Sequence, residues 1–127
     1  MQTSSLSWKP WGSCPSSDFV GLVSGGTLHL GSVGKEMKLV VLTDATDEIQ
    51  VITIPGASDV EYVTSKGVTI STNRSSLSLL GFNEAQSPKG YKVSRDGDML
   101  VAVEYFHDRI MSYSLFKASR YRGSPTP

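Results

Sequence analysis

Residues 99–106 and 109–116 are two apolar, aromatic-rich runs with only His107-Asp108 between them. Each is the length of a strand, and a two-residue link is about the shortest that reverses a chain between antiparallel strands. The pair therefore predicts a β-hairpin, preceded by a polar turn that ends in Ser94-Arg95-Asp96-Gly97-Asp98. Alternation along a strand puts Met99, Val101, Val103 and Tyr105 on one face, and Met111, Tyr113 and Leu115 on a face of the partner.

The rest of the chain repeats this grammar. Residues 18–23 read as a strand, Ser24-Gly25-Gly26 as a turn and 27–33 as the returning strand, because a Gly-Gly pair supplies positive φ at low steric cost. Residues 37–43 form an apolar, β-branched run suited to a central strand, and the turn at Asp44-Ala45-Thr46-Asp47 leads to another strand at 48–54. Further strands are predicted at 59–64, 68–71 and 75–82, followed by a polar loop at 83–90. Turn signals recur every eight to twelve residues. The expected fold is all-β, with antiparallel sheets of about ten short strands in a compact sandwich or barrel. The expected organisation is an N-terminal arm at 1–17, one domain at 18–116 and a flexible, basic, Pro-containing tail at 117–127.

Two phrases, Leu6-Ser7-Trp8-Lys9-Pro10 and Val93-Ser94-Arg95-Asp96-Gly97-Asp98-Met99-Leu100, resemble the start of blades in WD40-type β-propellers. Residues 59–80 are similar in rhythm, with strand, Lys-Gly turn, strand, polar turn and strand. The resemblance implies a partial propeller of about three blades as the alternative architecture. The family's Gly-His pair and terminal Trp-Asp dipeptide do not occur in the matching places. A closed ring needs at least four blades of about 40–45 residues each, more than 127 residues supply.

Charge and composition limit the chemistry. Twelve basic and twelve acidic side chains cancel, so no global field steers the chain toward nucleic acid or anionic membrane. Cys14 is the only cysteine, which excludes an internal disulfide and a thiolate metal cluster. The N-terminus lacks the basic and apolar regions of a signal peptide, and no apolar run approaches the ~20 residues of a membrane span. A soluble intracellular chain, cytoplasmic or nuclear, is expected. No nucleotide-binding, metal or nucleophile-elbow motif is present, and no cofactor is expected. Glu104, His107 and Asp108 are the only trio of acid–base type, but successive turn residues point apart, so no catalytic assignment follows. His29 reads as a surface residue, and Asp44, Asp47, Glu48, Asp96 and Asp98 as solvated turn carboxylates.

The functional expectation is a non-catalytic protein-interaction or assembly module, such as a structural subunit of a cellular or viral assembly. Its partners would be other proteins or further copies of itself. Candidate contact residues are Trp8 and Trp11, whose large rings either anchor the N-terminal arm or meet a partner, and Lys117, Arg120, Tyr121 and Arg122. The last four support the alternative: binding of nucleic acid or anionic lipid through basic residues near the C-terminus, joined by Lys89, Lys92 and Arg95. Ser124-Pro125 and Thr126-Pro127 have the form of proline-directed phosphorylation sites.

Overall fold

The computed structural model of the chain describes residues 6–67, 69–72, 83–84, 91–106 and 109–122. In chain order its strands are β1 (Ser7–Ser13), β2 (Ser16–Ser17), β3 (Gly21–Leu22), β4 (Thr27–Val33), β5 (Glu36–Thr43), β6 (Ile49–Pro55), β7 (Tyr62–Val63), β8 (Thr69–Ile70), β9 (Asn83–Glu84), β10 (Tyr91–Asp96), β11 (Met99–Phe106) and β12 (Arg109–Lys117). Among the described residues the only helical element is a 3-10 turn, Ala118–Arg120. The fold is all-β, and every strand pair is antiparallel. No helix among these residues is long and apolar enough to cross a membrane.

Eight strands make one sheet in the order β1-β4-β5-β6-β12-β11-β10-β9. It consists of two meanders laid side by side. One runs β4-β5-β6 with β1 outside it, and the other runs β9 to β12. They meet where β6 pairs with β12, from Ile52 opposite Leu115 to Pro55 opposite Ser112. The outer strands β1 and β9 do not pair to close a barrel among the described residues.

β11 shows why the central run is apolar at every position. Leu100 and Ala102 enter a core on one face with Leu42, Val51 and Phe116. Val101 and Val103 enter a second core on the other face with Ile54, Tyr113 and Leu115. A strand buried on both sides needs no polar alternation. Small hairpins roof the two faces. β2–β3 brings Phe19 and Val23 to the first core, and β7–β8 brings Ile70, with Val60 and Tyr62, to the second. Phe19 stacks on Phe116 at 4.8 Å and meets Tyr91 edge-on at 5.1 Å, arrangements that add to plain area burial.

The hairpin expected at 99–116 is present, and Tyr113 and Leu115 share a core with Val101 and Val103 as alternation requires. Met111 does not. The register shifts between Glu104 and Tyr105, so Ile110 takes the core position and Met111 is exposed. The pairing expected between 18–23 and 27–33 is corrected: β3 pairs back with β2, while β4 lies between β1 and β5. Phe19 and Val23 are drawn to the core as side chains of a turn rather than as ladder positions. The polar turn expected ahead of β11 is largely strand β10, and its reversal is Gly97-Asp98, with Gly97 at φ +60°. Asn83-Glu84, expected in a loop, pairs with β10. The strand expected at 75–82 lies outside the described residues.

The fold also extends past both expected domain limits. Ser7–Ser13, within the predicted arm, is a strand of the main sheet. Tyr121, within the predicted tail, packs on the first core, 5.5 Å from the Phe116 ring. Composition describes these segments as an arm and a flexible tail, but backbone pairing at an edge and one aromatic anchor suffice to place residues 7–13 and Tyr121.

The β5–β6 turn carries a conformational cost. Asp47 is the only non-glycine at positive φ (64°) among the described residues. The Asp44 carboxylate organises the turn by accepting hydrogen bonds from the Thr46 and Glu48 N–H groups, the Thr46 hydroxyl and the Gln50 amide. The Asp47 side chain has no part in those bonds. Asp47→Gly is therefore expected to stabilise the protein by about 0.5–1 kcal/mol, read as a raised denaturant midpoint at unchanged slope.

Candidate functional site

Among the described residues β1 is one of the two outer edges of the sheet, and all seven of its residues are exposed. Pro10 sits in it without an N–H to offer, a position that edges tolerate and central strands do not. The β1–β4 register shifts at Trp11, between Pro10 opposite His29 and Gly12 opposite Leu28. Proline and bulge together discourage strand addition along this edge. What remains available is side-chain surface, and two indoles supply most of it: Trp8 is 51% exposed and Trp11 is 62% exposed.

The Trp8 ring is held by absence of bulk beneath it. Gly31 stands opposite Trp8 in the β1–β4 ladder, and a methyl group added there would lie 2.9 Å from the indole Cη2. Glycine at this position lets the ring lie close over the β4 backbone. Trp8 is thus partly anchored and partly displayed, and Trp11 is displayed more. Met37, Leu22, Ile49 and Val63 are also exposed, but on separate elements.

The basic residues near the C-terminus are arranged differently. The Arg120 guanidinium donates to Glu48 Oε1 at 3.0 Å and to Gln50 Oε1 at 2.5 Å, and Lys117 Nζ lies 3.6 Å from Glu48 Oε2. Lys117 and Arg120, two of the three basic residues singled out in 117–122, thus converge on one carboxylate. Tyr121 is half-buried, with its phenol pushed up by burial. The Arg122 backbone N–H donates to the Phe19 carbonyl at 2.6 Å. Residues 118–122 form a strap: they tie the β2–β3 turn at Phe19, the β5–β6 turn at Glu48 and Gln50, and the β10–β11 turn through Ala118 N–H to Asp98 O. Lys89 lies outside the described residues.

Of the acid–base trio, Glu104 alone lies within the described residues. Glu104 accepts a 3.2 Å bond from the Ser112 hydroxyl, while His107 and Asp108 lie outside the described residues. His29, read as a surface residue, is half-buried and bonds Thr43 Oγ1 at 3.0 Å. Among the described residues, no three His, Cys, Asp or Glu side chains come together as a metal ion would need.

Asp96 is a correction. Sequence pattern made it a solvated turn residue, but it is buried and receives the Tyr62 hydroxyl, the Ser65 hydroxyl and the Ser65 N–H. The Ser65 hydroxyl first, then Tyr62, hold its carboxyl below the usual carboxylate range. Asp96 closes β10 on the second face, so its side chain points under the β7–β8 turn and pins it. Tyr113 acts nearby: its buried hydroxyl lies 3.1 Å from the Ile70 carbonyl and 3.2 Å from that of Val60, sharing one proton between them. Burial is the first cause pushing Tyr62 and Tyr113 each up to about 12. A phenol whose folded pKa exceeds its unfolded value of about 10 stabilises the fold fully below that value and loses its contribution as pH rises through 10 to 12. An alkaline unfolding transition is expected in that window. Tyr113→Phe should reduce its steepness while lowering stability at neutral pH, which a pH series of urea melts checks.

No protein-family model matches the chain, nor does any curated protein or solved structure. Of the residues singled out from sequence, the structure displays Trp8 and Trp11 on one edge strand and commits Lys117, Arg120 and Tyr121 to intramolecular contacts.

Proposed function

We propose that the chain is a non-catalytic interaction or assembly module that meets a protein partner, or another copy of itself, through the β1 edge. The observation that carries this reading is the pair of exposed indoles, Trp8 and Trp11, on the outermost strand of the sheet. Tryptophan is enriched where interfaces concentrate their binding energy, since one ring buries large area at little entropic cost. Gly31 beneath Trp8 fixes that ring before any partner arrives, so less freedom is lost on binding.

The alternative, an anionic ligand at the C-terminal basic residues, has less support. Lys117 and Arg120 already share Glu48, so an incoming phosphate would have to compete with a carboxylate for both.

Trp11 is the variant to test, because its greater exposure leaves the fold least dependent on it. Sedimentation velocity over a wide concentration range is expected to show species heavier than the monomer, with Trp11→Ser shifting the distribution to monomer at unchanged thermal stability. For a heterologous partner, capture on immobilised protein is expected to fall about tenfold or more with the same change. A protein that stays monomeric throughout, and whose capture profile Trp11→Ser leaves unaltered, would remove the edge from consideration.

A further inference from the structure

The first face of the sheet is only partly roofed. The segment 14–22 leaves a groove of about 280 Å³ between itself and strands β4, β5 and β6. Its floor is Leu28, Val40, Leu42 and Val51, neighbouring positions on three adjacent strands, and the Phe19 ring lines it from above. Its rim is polar, with Ser17, Thr53 and the carboxylate of Asp18. Ser17 Oγ is occupied by the Phe19 N–H, and Thr53 Oγ1 by Ser114. Asp18, by contrast, has no hydrogen-bond or ion-pair partner among the described residues. This is the general composition of a small-molecule site: an apolar lining with few, placed polar groups. The volume falls just under the usual range of about 300–1,000 Å³ and exceeds the ~150 Å³ that accommodates a benzene ring in an apolar cavity.

Charge gives the ligand its sign. Asp18 and Glu104 both act on the Tyr91 phenol, which is raised by burial first and then by these two carboxylates. Tyr91 in turn meets the Phe19 ring edge-on. Among the residues that line the groove, Asp18 is the one that carries a charge, and it stands above an apolar floor.

We propose that this groove binds a small apolar amine, its hydrocarbon part on Leu28, Val40, Leu42 and Val51 and its ammonium against Asp18. A single ring or branched chain fits within the volume. The ammonium supplies Asp18 with charge-assisted hydrogen bonds while the apolar part leaves water. The site lies on the opposite face of the sheet from the seat of Trp8, so it is independent of the edge interaction.

Three isosteric probes test it: benzylamine, benzyl alcohol and benzoate, titrated into methyl-labelled protein. Benzylamine is expected to shift the methyl signals of Leu28, Val40, Leu42 and Val51 and to bind about tenfold tighter than benzyl alcohol, with benzoate weakest; tenfold corresponds to 1.4 kcal/mol. Asp18→Asn, a change at an exposed rim position, is expected to bring benzylamine to within about twofold of the alcohol without altering the methyl spectrum of the free protein. Val40→Phe, which fills the floor, is expected to abolish binding of all three. Methyl signals that do not move, or move equally with all three probes, would overturn the proposal, as would a benzylamine preference that survives Asp18→Asn.

Discussion

Gly26→Ala is expected to destabilise the protein by about 3 kcal/mol or more, the upper range of overpacking effects. The reason is a backbone contact with no flexible partner. A Cβ at position 26 would lie 1.9 Å from the carbonyl oxygen of Cys14 and 2.9 Å from its carbonyl carbon. The two segments are held together there by the Cys14 N–H, which donates to the Gly26 carbonyl at 2.8 Å, and the Gly26 N–H donates to Val23 at 3.2 Å. Making room means breaking the junction that turns β1 into the β2–β3 hairpin. Phe19 and Val23 would then leave the first core, so the loss includes buried apolar area. Urea melts should show a lower midpoint, and the Phe19-facing methyls of Leu42 and Val51 should shift. Gly34→Ala is the control: nothing lies within 4 Å of a Cβ there, so its effect is limited to the strain of φ +62°. If the two variants were equally stable, close packing at Gly26 would not be what the fold depends on.

Asp96→Ala is the second large effect, expected at about 2–4 kcal/mol from the bonds to a charged, buried acceptor that it removes. The half-buried Tyr62 would be left without its acceptor, and the exposed Ser65 would exchange the carboxylate for water. The loss should be local in its consequences, because the pin holds only the β7–β8 turn over the second core. Hydrogen exchange is expected to speed up at Thr64 to Gly67 more than in β11 or β12. The same carboxylate predicts acid behaviour. Its folded pKa is depressed, so its contribution is present above the unfolded value of about 4 and is lost as pH falls below it. Wild type should lose stability through that range, and Asp96→Ala should lose less. Equal acid sensitivity of the two proteins would mean other carboxylates govern the transition.

Local pattern reached some of these features and not others. The β11–β12 hairpin was readable because strand period, run length and a two-residue link all agree at residues 99–116. The apolar character of 37–43 likewise identified a central strand, β5. The β6–β12 pairing was not readable, because Ile52 and Leu115 are far apart in sequence and nothing local says that two meanders join there. Asp96 was misread because an Asp-Gly-Asp phrase is the same whether its first carboxylate meets water or a buried hydroxyl. Ser94 and Asp96 alternate with exposed Arg95, and only the position of the β7–β8 turn decides which side is dry. Strict alternation puts Met111 on the face of Tyr113 and Leu115, but the bulge opposite Glu104 and Tyr105 gives that place to Ile110 and leaves Met111 exposed. The two tryptophans were legible as candidates, but whether they anchor or display depended on a glycine on another strand, Gly31.

The join between the two meanders has a consequence for the time course of folding. Within each meander, strands pair with their sequence neighbours, so those contacts close short loops and form early. The β6–β12 ladder requires the chain from Gly56 to Met111 to be brought round first, and it is only four residue pairs long. Gly56 lies against the junction, where a Cβ would be 2.6 Å from the Met111 carbonyl oxygen. The rate at which the whole sheet assembles should therefore be set at this seam. Substitutions at Thr53, Ile54, Tyr113 or Ser114 should slow refolding, while changes of equal equilibrium cost near β1 should act mainly by speeding unfolding.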